Sequence, residues 1–533
     1  MARAARAKTG GVVYCVVGSG PAAISAAMAL VKRGLRVTIL DGGKTLEAER
    51  QTIMDRLGAQ TPEEWSAADM DRLRGDDQTS RHGSIHSKLT YGSEYPYEDV
   101  AEPLTADRHQ TPFHYSMARG GLSNVWGASI LPSHQRDMDG WPITAADLDA
   151  HYKAVLGFMP STGVRDELEE LLPTHVATER PMKPSRQIAE LLADLRKRRP
   201  ALQRAGIHFG QSRVAAKAEG CIYCGLCLYG CPYSLIYSSA QTLKEMIAAG
   251  QVDYRSGQVV ERLESTAEGV VVHAKDLAGN AVQLTARRVF VGAGVIPSAW
   301  LALNSLGAYD EPVTMLDSQY FIFPFFRFFR TPNVDREPLY SLVQAFMEVD
   351  DPSVSKHLVH MEVFSYSDFL KRALMATGLR FILFNRWLQA QMFDRLLVLQ
   401  CFLHSDDSSR LTLRLTRDAE GRPKLDVKEA PVRSAYWSSI RAGMKLFANG
   451  LKLGGVPVVP AMQFAEPGRS YHSGGTFPMR RSPGRLETDV LGQLPGLPGV
   501  HFVDATVMPT IPATTITLTV MANAHRIATE AQT

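Results

Sequence analysis

The sequence predicts an α/β fold in which a Rossmann-like domain with a parallel sheet is joined to an α+β domain with an antiparallel sheet. A short apolar run at 12–17 and a second strand-like run at 35–40 flank a glycine-rich turn and a helical stretch. Such runs are typical of strands that are buried on both faces of a parallel sheet. After position 316, strand-like segments separated by turn residues predict the antiparallel sheet.

The stretch from Val12 to Asp41 contains a complete nucleotide-binding motif. Gly18, Gly20 and Ala23 form the pattern GxGxxA. The first glycine permits a tight turn, the second lets the backbone approach a pyrophosphate, and Ala23 keeps the helix close to the strand. The helix N-terminus would bind the anion, and Asp41 could accept hydrogen bonds from a ribose. The motif therefore predicts dinucleotide binding, without distinguishing FAD from NAD.

Composition bounds the class of protein. A chain of 533 residues is expected to form two or three domains. Its net charge of +3 gives no field that would attract nucleic acid. The N-terminal residues lack the apolar core of a secretory signal, and no uncharged run reaches the roughly 18 residues of a membrane span. With only six cysteines, the chain is expected in a reducing compartment, hence in the cytoplasm, with contact to a membrane surface left open.

The next segments of the chain are less regular. Residues 42–110 are polar and look like an excursion from the nucleotide-binding domain. In Met117–Gly127, a glycine pair would permit close approach of the backbone to a ligand, and neighbouring side chains could donate hydrogen bonds. On its own, this segment is more typical of a surface loop.

Helical and strand patterns alternate along the rest of the chain. Helices are predicted at 144–155, 186–197, 234–249, 295–304 and 515–529. Strands are predicted at 254–276 as a hairpin, and at 289–294, 320–329, 339–349, 357–366, 396–404, 410–415, 424–428 and 500–504. These patterns indicate a nucleotide-binding domain formed by 1–130, 205–315 and 465–533, and a substrate-binding domain formed by 131–204 and 316–464.

Four cysteines lie close together in the sequence. Cys221, Cys224, Cys227 and Cys231, followed by Pro232, have the C-x2-C-x2-C-x3-C-P spacing of bacterial iron-sulfur proteins. In two-cluster ferredoxins the fourth cysteine of such a run serves the other cluster, and this chain has no second set. A zinc site with four thiolates and a loop of unmetallated thiols are the alternatives. All three interpretations stay open at this point.

The stretch 368–394 is basic and apolar. Lys371, Arg372, Arg380 and Arg386 accompany large apolar residues, with no acid between the two end aspartates. Such a helix could lie in a membrane interface, with the phenylalanine-rich segment 321–326 extending the patch. A helix packed over the sheet with its cations in water fits the pattern better.

A histidine near the C-terminal end is followed by small, turn-forming residues. His472 begins the run HSGGT. A histidine held on such a turn could act as a general base, because its ordinary pKa lies near neutrality. From this stretch alone, a structural histidine is the more ordinary interpretation.

Taken together, these motifs resemble the glucose-methanol-choline (GMC) oxidoreductases, flavoproteins that use FAD to oxidise alcohols. The resemblance rests on GSGPAA, ARGGLSNVWG, GWPITAADLDAHY, VFVGAGVIPSAWL, YHSGGTFPM and VDATVMPTIPATTITLTVMANA, which occur in the family's order. It covers the nucleotide-domain segments well and the substrate domain poorly. The resemblance implies FAD rather than NAD as the cofactor.

The resemblance also assigns roles to residues. His472 would be the catalytic base facing flavin N5, and Thr515 stands where family members carry a second histidine or asparagine. A threonine can orient a hydroxyl group but is not a base at neutral pH. The implied FAD-binding residues are Gly18, Gly20, Ala23, Asp41, Gly120, Gly121, Ser123, Asn124, Val260, Asp504 and Ala505.

The implied function is FAD-dependent oxidation of a CH–OH group. The cysteine-rich loop looks like that of sterol-oxidising and sugar-oxidising members, only some of which carry an iron-sulfur cluster. The expected substrate is a sugar or a glycosylated natural product, and the expected electron acceptor is oxygen, a quinone or a redox protein. A lipid or sterol alcohol at a membrane surface, a redox-neutral isomerase or mutase, and a non-catalytic FAD-binding protein are the alternatives.

Overall fold

The computed structural model describes residues 13–75, 88–98, 106–107, 115–178, 180–375 and 385–532. The strands are β1 Tyr14–Val17, β2 Val37–Asp41, β3 Ala106–Asp107, β4 Ile207–Gln211, β5 Val252–Ser256, β6 Gln258–Thr266, β7 Gly269–Asp276, β8 Ala281–Ala286, β9 Arg288–Val291, β10 Pro312–Asp317, β11 Tyr320–Arg327, β12 Ala345–Val349, β13 Val359–Phe364, β14 Leu396–Phe402, β15 Arg410–Arg417, β16 Pro423–Ala430, β17 Gly455–Pro457, β18 Gln463–Phe464, β19 Ser473–Gly474 and β20 Val500–Phe502.

The α-helices are α1 Pro21–Lys32, α2 Ala48–Gly58, α3 Ala67–Arg74, α4 Ala145–Leu156, α5 Arg186–Lys197, α6 Arg199–Gln203, α7 Ser239–Ala248, α8 Val295–Leu306, α9 Asp368–Met375, α10 Arg386–Phe393, α11 Arg433–Ala448, α12 Gly450–Leu453 and α13 Thr517–Glu530. Val12, Arg380 and parts of the excursion at 42–110 lie outside the described residues. Among the described helices, none is both long and apolar enough to cross a bilayer.

The parallel sheet confirms the α/β prediction. Its strand order is β20-β9-β1-β2-β5, and all four pairings are parallel. Every residue of β1 is buried, as expected for a central strand covered on both faces. Helix α1 connects β1 to β2, and α13 packs against α1 and α4. Residues far apart in the sequence therefore build one nucleotide-domain core.

The strands predicted after position 316 all form, but they make two sheets rather than one. Strands β11 to β14 belong to a seven-stranded sheet with order β17-β11-β14-β13-β12-β4, in which β18 also pairs with β11. Strands β15 and β16 instead join the sheet β19-β10-β15-β16-β3, and they pack against α8. Alternating apolar residues predict each strand, whereas the choice of partner depends on tertiary contacts.

Strand β4 differs from the expectation that residues from 205 onward return directly to the nucleotide sheet. It pairs antiparallel with β12, so Ile207–Gln211 extend the seven-stranded sheet. The chain rejoins the parallel sheet at β5. The predicted hairpin forms as β6 and β7, with β8 as a third strand.

Helix boundaries follow their capping residues. The capping box of Thr144 and Asp147 opens α4, as the sequence predicts. Helix α7 begins at Ser239 rather than at Ser234, because Ser234 has a φ of 53° and Ser238 caps the helix by accepting from the N–H of Ala240. A residue in the left-handed region cannot continue a right-handed helix.

The basic stretch at 368–394 contains two short helices, α9 and α10. The expected contribution of the phenylalanine-rich strand to a membrane patch is wrong for three of its rings. In β11, Phe321, Phe323 and Phe325 are buried in the core of the seven-stranded sheet. Alternation along the strand directs these rings inward.

Candidate functional site

A cavity of about 990 Å³ lies where strands of the parallel sheet end. Its wall includes residues that directly follow the carboxyl ends of β1, β2 and β9. In open parallel sheets, ligands bind in this crevice. The predicted site residues that line the cavity are Gly18, Gly20, Asp41, Gly121, Ser123, Val260, His472, Asp504, Ala505 and Thr515. One space therefore brings together segments from the whole length of the chain.

Glycines keep the floor of the cavity free of side chains. Gly18 has a φ of 97°, and a methyl group there would come within 2.8 Å of the Gly292 carbonyl oxygen. A methyl group on Gly121 would stand 3.3 Å from the Cα of Gly20. Among the described residues, no side chain caps the N-terminus of α1, so its free N–H groups remain available to an anion. This cradle fits a pyrophosphate.

Asp41 is held at the end of β2 by two hydroxyl groups. Ser19 Oγ donates to Asp41 Oδ2 at 2.6 Å, and the hydroxyl group of Tyr254 donates to the same oxygen at 2.9 Å. Burial raises the pKa of Asp41 to about 6, although the two hydrogen bonds act to lower this pKa. The carboxyl group lines the cavity, where a ribose hydroxyl could reach it.

Three of the predicted residues lie behind the cavity wall. Ala23 packs against Gly292, as the close helix–strand contact requires. The N–H of Gly120 donates to Ser19 Oγ at 2.9 Å. The amide of Asn124 donates to the carbonyl oxygens of Arg119 and Gly121 and accepts from Ser238. These contacts shape the loop, and direct contact of these residues with a cofactor stays a prediction.

Asp504 follows β20 and accepts four hydrogen bonds. Its Oδ2 accepts from the N–H of Gly294 at 2.9 Å and from Ser298 Oγ at 2.5 Å. Its Oδ1 accepts from the N–H and the hydroxyl group of Thr506. Burial raises the pKa of this carboxyl group. Asp504 thereby ties the ends of β9 and β20 together beneath the cavity.

Asp317 and an unusual backbone conformation fix the turn that carries His472. Asp317 accepts from Ser470 Oγ at 2.5 Å, from Ser473 Oγ at 2.9 Å and from the N–H of Gly468 at 2.7 Å. Tyr471 has a φ of 59°, in a region that costs free energy for a bulky residue and is found most often at functional sites. The turn is therefore held in one defined shape.

The imidazole of His472 faces an apolar environment. Its ring lies 4.6 Å from the ring of Phe402, and its buried Nδ1 has no hydrogen-bond partner among the described residues. Burial, with a smaller effect of the His360 charge, lowers the pKa of His472 to about 3. The hydroxyl oxygen of Thr515 is also buried without a partner. A neutral imidazole and a hydroxyl group thus line the same cavity with unused hydrogen-bonding capacity.

The sequence interpretation missed several polar groups around this site. Asp317 lies about 150 positions before the turn that it holds, so no local pattern links the two. Glu362 lines the cavity from the middle of β13, where it reads as an ordinary strand residue. Lys88 also lines the cavity and donates to the Trp126 carbonyl oxygen at 2.9 Å. Burial lowers the pKa of Lys88 to about 8.

Solved structures share this architecture. The chain is similar in fold to a pyridoxine 4-oxidase from Mesorbium loti. The match covers 97% of this chain and 98% of the oxidase, with a TM-score of 0.58 and 11% sequence identity. No family model and no curated protein matches the sequence. At this identity, the likeness to pyridoxine 4-oxidase shows the fold.

The four clustered cysteines lie beside the cavity. Cys227 Sγ accepts a hydrogen bond from the N–H of Ser341 at 3.4 Å, and backbone N–H groups also donate to the sulfurs of Cys221, Cys224 and Cys231. The neighbouring residue Leu228 lines the cavity. Within the described residues, no three of these sulfurs lie close enough together to share one ion. As described, these four cysteines thus form no preformed zinc site.

A second polar cluster lies away from the cavity. His357 stands 3.3 Å from Asp137 Oδ1 and 3.0 Å from Asp406 Oδ2, and its ring stacks on His404 at 3.5 Å. Burial alone would lower the pKa of His357, but the two carboxylates raise it to about 9. His404 Nδ1 already accepts from the N–H of Asp406. The arrangement is an ion-pair network in which His357, His404 and Asp137 are buried and Asp406 is exposed.

Proposed function

We propose that the chain is an FAD-dependent oxidoreductase of the GMC type that oxidises a CH–OH group. The observation that carries this proposal is the convergence of a nucleotide cradle and an imidazole on one cavity. Gly18, Gly20 and Asp41 contribute from the N-terminal motif, and His472 comes from a turn more than 400 positions later. The fold shared with pyridoxine 4-oxidase adds support.

The residues around the cradle fit FAD. The pyrophosphate would bind the N–H groups of α1 beside Gly20 and Gly121, and Asp41 would accept from the ribose. Val260 is followed by a shift in the pairing register of β6 and β7 and lines the cavity, where it would contact the adenine. When bound, FAD supplies an acceptor for a hydride.

His472 would take the proton of the substrate hydroxyl. Because its pKa lies at about 3, the imidazole is neutral near pH 7 and has a lone pair to offer. Thr515 would orient the same hydroxyl by a hydrogen bond. Apolar neighbours such as Phe402 would limit the water around the reacting carbon, which would strengthen each polar contact there.

The experiment is substrate-dependent reduction of the bound flavin under anaerobic conditions. We expect His472→Ala to retain FAD but to lose bleaching of the flavin by substrate, and His472→Gln to do the same. His273→Ala on β7, outside the cavity, serves as the control and should behave like the unmodified protein. Unchanged flavin reduction in His472→Ala would remove this residue from the mechanism, and an isomerase or mutase would consume no acceptor dye.

For the substrate, we propose a sugar or glycosylated natural product. A lipid or sterol alcohol is the second candidate, favoured by the apolar residues that α9 places in the cavity wall, including Phe369, Leu370 and Ala373. A panel of glycosides and sterols, assayed with an artificial electron acceptor and with oxygen, would separate the two classes. It would also distinguish a dehydrogenase from an oxidase.

We further propose that Cys221, Cys224, Cys227 and Cys231 bind an iron-sulfur cluster. A cluster holds its thiolates on different iron atoms, so its ligands stand farther apart than those of one zinc ion. The backbone N–H groups aimed at the four sulfurs are the contacts that tune such a cluster. Iron and acid-labile sulfide in anaerobically purified protein test this idea, and their absence would leave a loop of packed thiols.

A further inference from the structure

The outer face of α11 carries an apolar stripe. Trp437, Ile440, Met444 and Phe447 follow one another at spacings of three and four residues, so they lie along one side of α11, and Leu451 follows in the adjoining α12. Trp437 is 57% exposed, Phe447 53% and Leu451 83%. These large side chains therefore meet solvent rather than the protein core.

The fold does not need this stripe for its own core. The opposite face of α11 already buries Ala442 and Leu446 against the seven-stranded sheet. The exposed rings of Phe328 and Phe329 adjoin the stripe, because the N–H of Phe328 donates to the carbonyl oxygen of Gly454, directly after α12. Contiguous exposed apolar surface of this kind marks an interaction site.

Positive charge surrounds the stripe. Residues 433–453 contain Arg433, Arg441, Lys445 and Lys452 but no aspartate or glutamate. Lys445 is paired with Asp351. Within the described residues, Arg433, Arg441 and Lys452 have no acidic partner. The guanidinium group of Arg441 donates to the Val354 carbonyl oxygen and to Ser438 Oγ, and Lys452 donates to Asn449 Oδ1. The long stem of Arg433 can bring its charge to the level of the apolar side chains.

Another cation borders the same face. The guanidinium group of Arg198 donates to the Lys452 carbonyl oxygen at 3.3 Å, so its charge lies beside the end of the stripe. Since all unpaired charges here have one sign, a second copy of the chain docked on this face would bring like charges together. An anionic surface would satisfy them.

We propose that α11 and α12 form a docking surface for an anionic lipid bilayer. Trp437, Phe447 and Leu451 would enter the interface between headgroups and acyl chains, and the surrounding cations would bind lipid phosphates and carboxylates. This surface is distinct from the basic stretch at 368–394. The proposal does not rest on the proposed enzymatic activity.

Side-chain contacts of α11 connect this surface to the segment that forms one cavity wall. The ring of Tyr436 lies 4.7 Å from that of Phe464, and Gly443 packs against Met462. The alternate residues Ala461 and Gln463 line the cavity. A bilayer bound to α11 would therefore lie directly behind one wall of the candidate active site.

Vesicle flotation with the full chain tests the proposal. We expect the protein to float with vesicles of phosphatidylcholine and phosphatidylserine, and far less with phosphatidylcholine alone. The double substitution Phe447→Ser and Leu451→Ser should lower the partition coefficient about tenfold or more, because two apolar side chains no longer enter the interface. Leu277→Ser, which removes a leucine of 64% exposure on the turn after β7, should have no effect.

Charge reversal provides the second arm. Arg433→Glu should weaken binding to the anionic vesicles at least about fivefold, and added salt should reduce the difference. Lys244→Glu on α7 makes the same charge change away from the stripe and should leave binding unchanged. Both Arg433 and Lys244 are exposed, so the variants should fold normally.

Three results would overturn the proposal. The first is failure of the unmodified protein to float with either vesicle. The second is flotation that the stripe variants do not weaken. The third is a concentration-dependent dimer, seen by sedimentation without lipid, that the double substitution abolishes; this result would assign the stripe to a second copy of the chain.

Discussion

Replacing Gly18 by alanine tests whether the cavity floor is built as a cradle. Gly18 has a φ of 97°, and the left-handed region costs an L-residue with a side chain about 1–2 kcal/mol. The added methyl group would also meet the Gly292 carbonyl oxygen at 2.8 Å. That backbone cannot easily move, because the N–H of Gly292 donates to Val17 and so joins β9 to β1.

The two costs set the expected magnitude. Overpacking a tight contact destabilises by about 1–3 kcal/mol, so Gly18→Ala should lose about 2–5 kcal/mol of unfolding free energy in total. Gly20→Ala is the matched control. Gly20 has a φ of −64°, and its methyl group would find only the Gly292 carbonyl oxygen, at 3.9 Å. The stability of this variant should stay within about 1 kcal/mol of the original.

Flavin content separates the two variants further. Both should lose FAD, Gly18→Ala through distortion of the turn and Gly20→Ala because its methyl group occupies the space of the pyrophosphate. Urea unfolding of flavin-free protein measures the unfolding free energy, and the flavin absorbance of freshly purified protein measures the flavin content. Equal stability of the two variants, or full flavin content in Gly20→Ala, would refute the assigned cradle.

Three further predictions concern titratable groups. The pKa of His357 is raised to about 9, so its charged form stabilises the fold fully below the ordinary pKa of about 6.5, and this stabilisation is lost as pH rises through about 9. His357→Gln should therefore lower the free energy of unfolding, measured by thermal unfolding, by about 2 kcal/mol at neutral pH and by little at higher pH. Asp317→Ala should slow flavin reduction about 100-fold in stopped-flow measurements without loss of FAD, because Ser470 and Ser473 lose their acceptor and the turn loosens. Since the pKa of His472 lies at about 3, protonation of this residue should cause no fall in the reduction rate between about pH 5 and 8, and an acid limb that disappears in His472→Gln would contradict this.

The sequence predicts the first nucleotide-binding unit well because that unit is local. Strand β1, helix α1 and strand β2 follow one another directly, and the glycine turn and Asp41 sit at positions fixed by this short unit. The capping residues of α4 likewise lie next to the helix that they open. In such cases the residues that determine a structure are neighbours in the chain.

Features that depend on contacts between residues far apart in the sequence could not be predicted from local patterns. The alternating leucines of β15 predict a strand, but its pairing with β10 is decided by packing on α8. In the sequence, Asp317 is an ordinary residue at the end of a strand, and only the fold brings the turn of His472 against it. The exposed stripe on α11 has the spacing of a core helix, because periodicity reports an apolar face without saying what covers it.

The burial of α13 bears on the order in which the molecule can assemble during synthesis. The Ser25 hydroxyl group of α1 donates to the Met521 carbonyl oxygen, and the side chain of Arg33 donates to that of Ala528, so the first helix is completed by the last. The acceptor on Ala528 is its backbone carbonyl oxygen. Strand β20 likewise reaches the sheet only after residue 500 has been made. On the ribosome, the nascent N-terminal segment would lack its covering helix, and chaperones that bind apolar surface would have a long interval in which to act before cofactor loading.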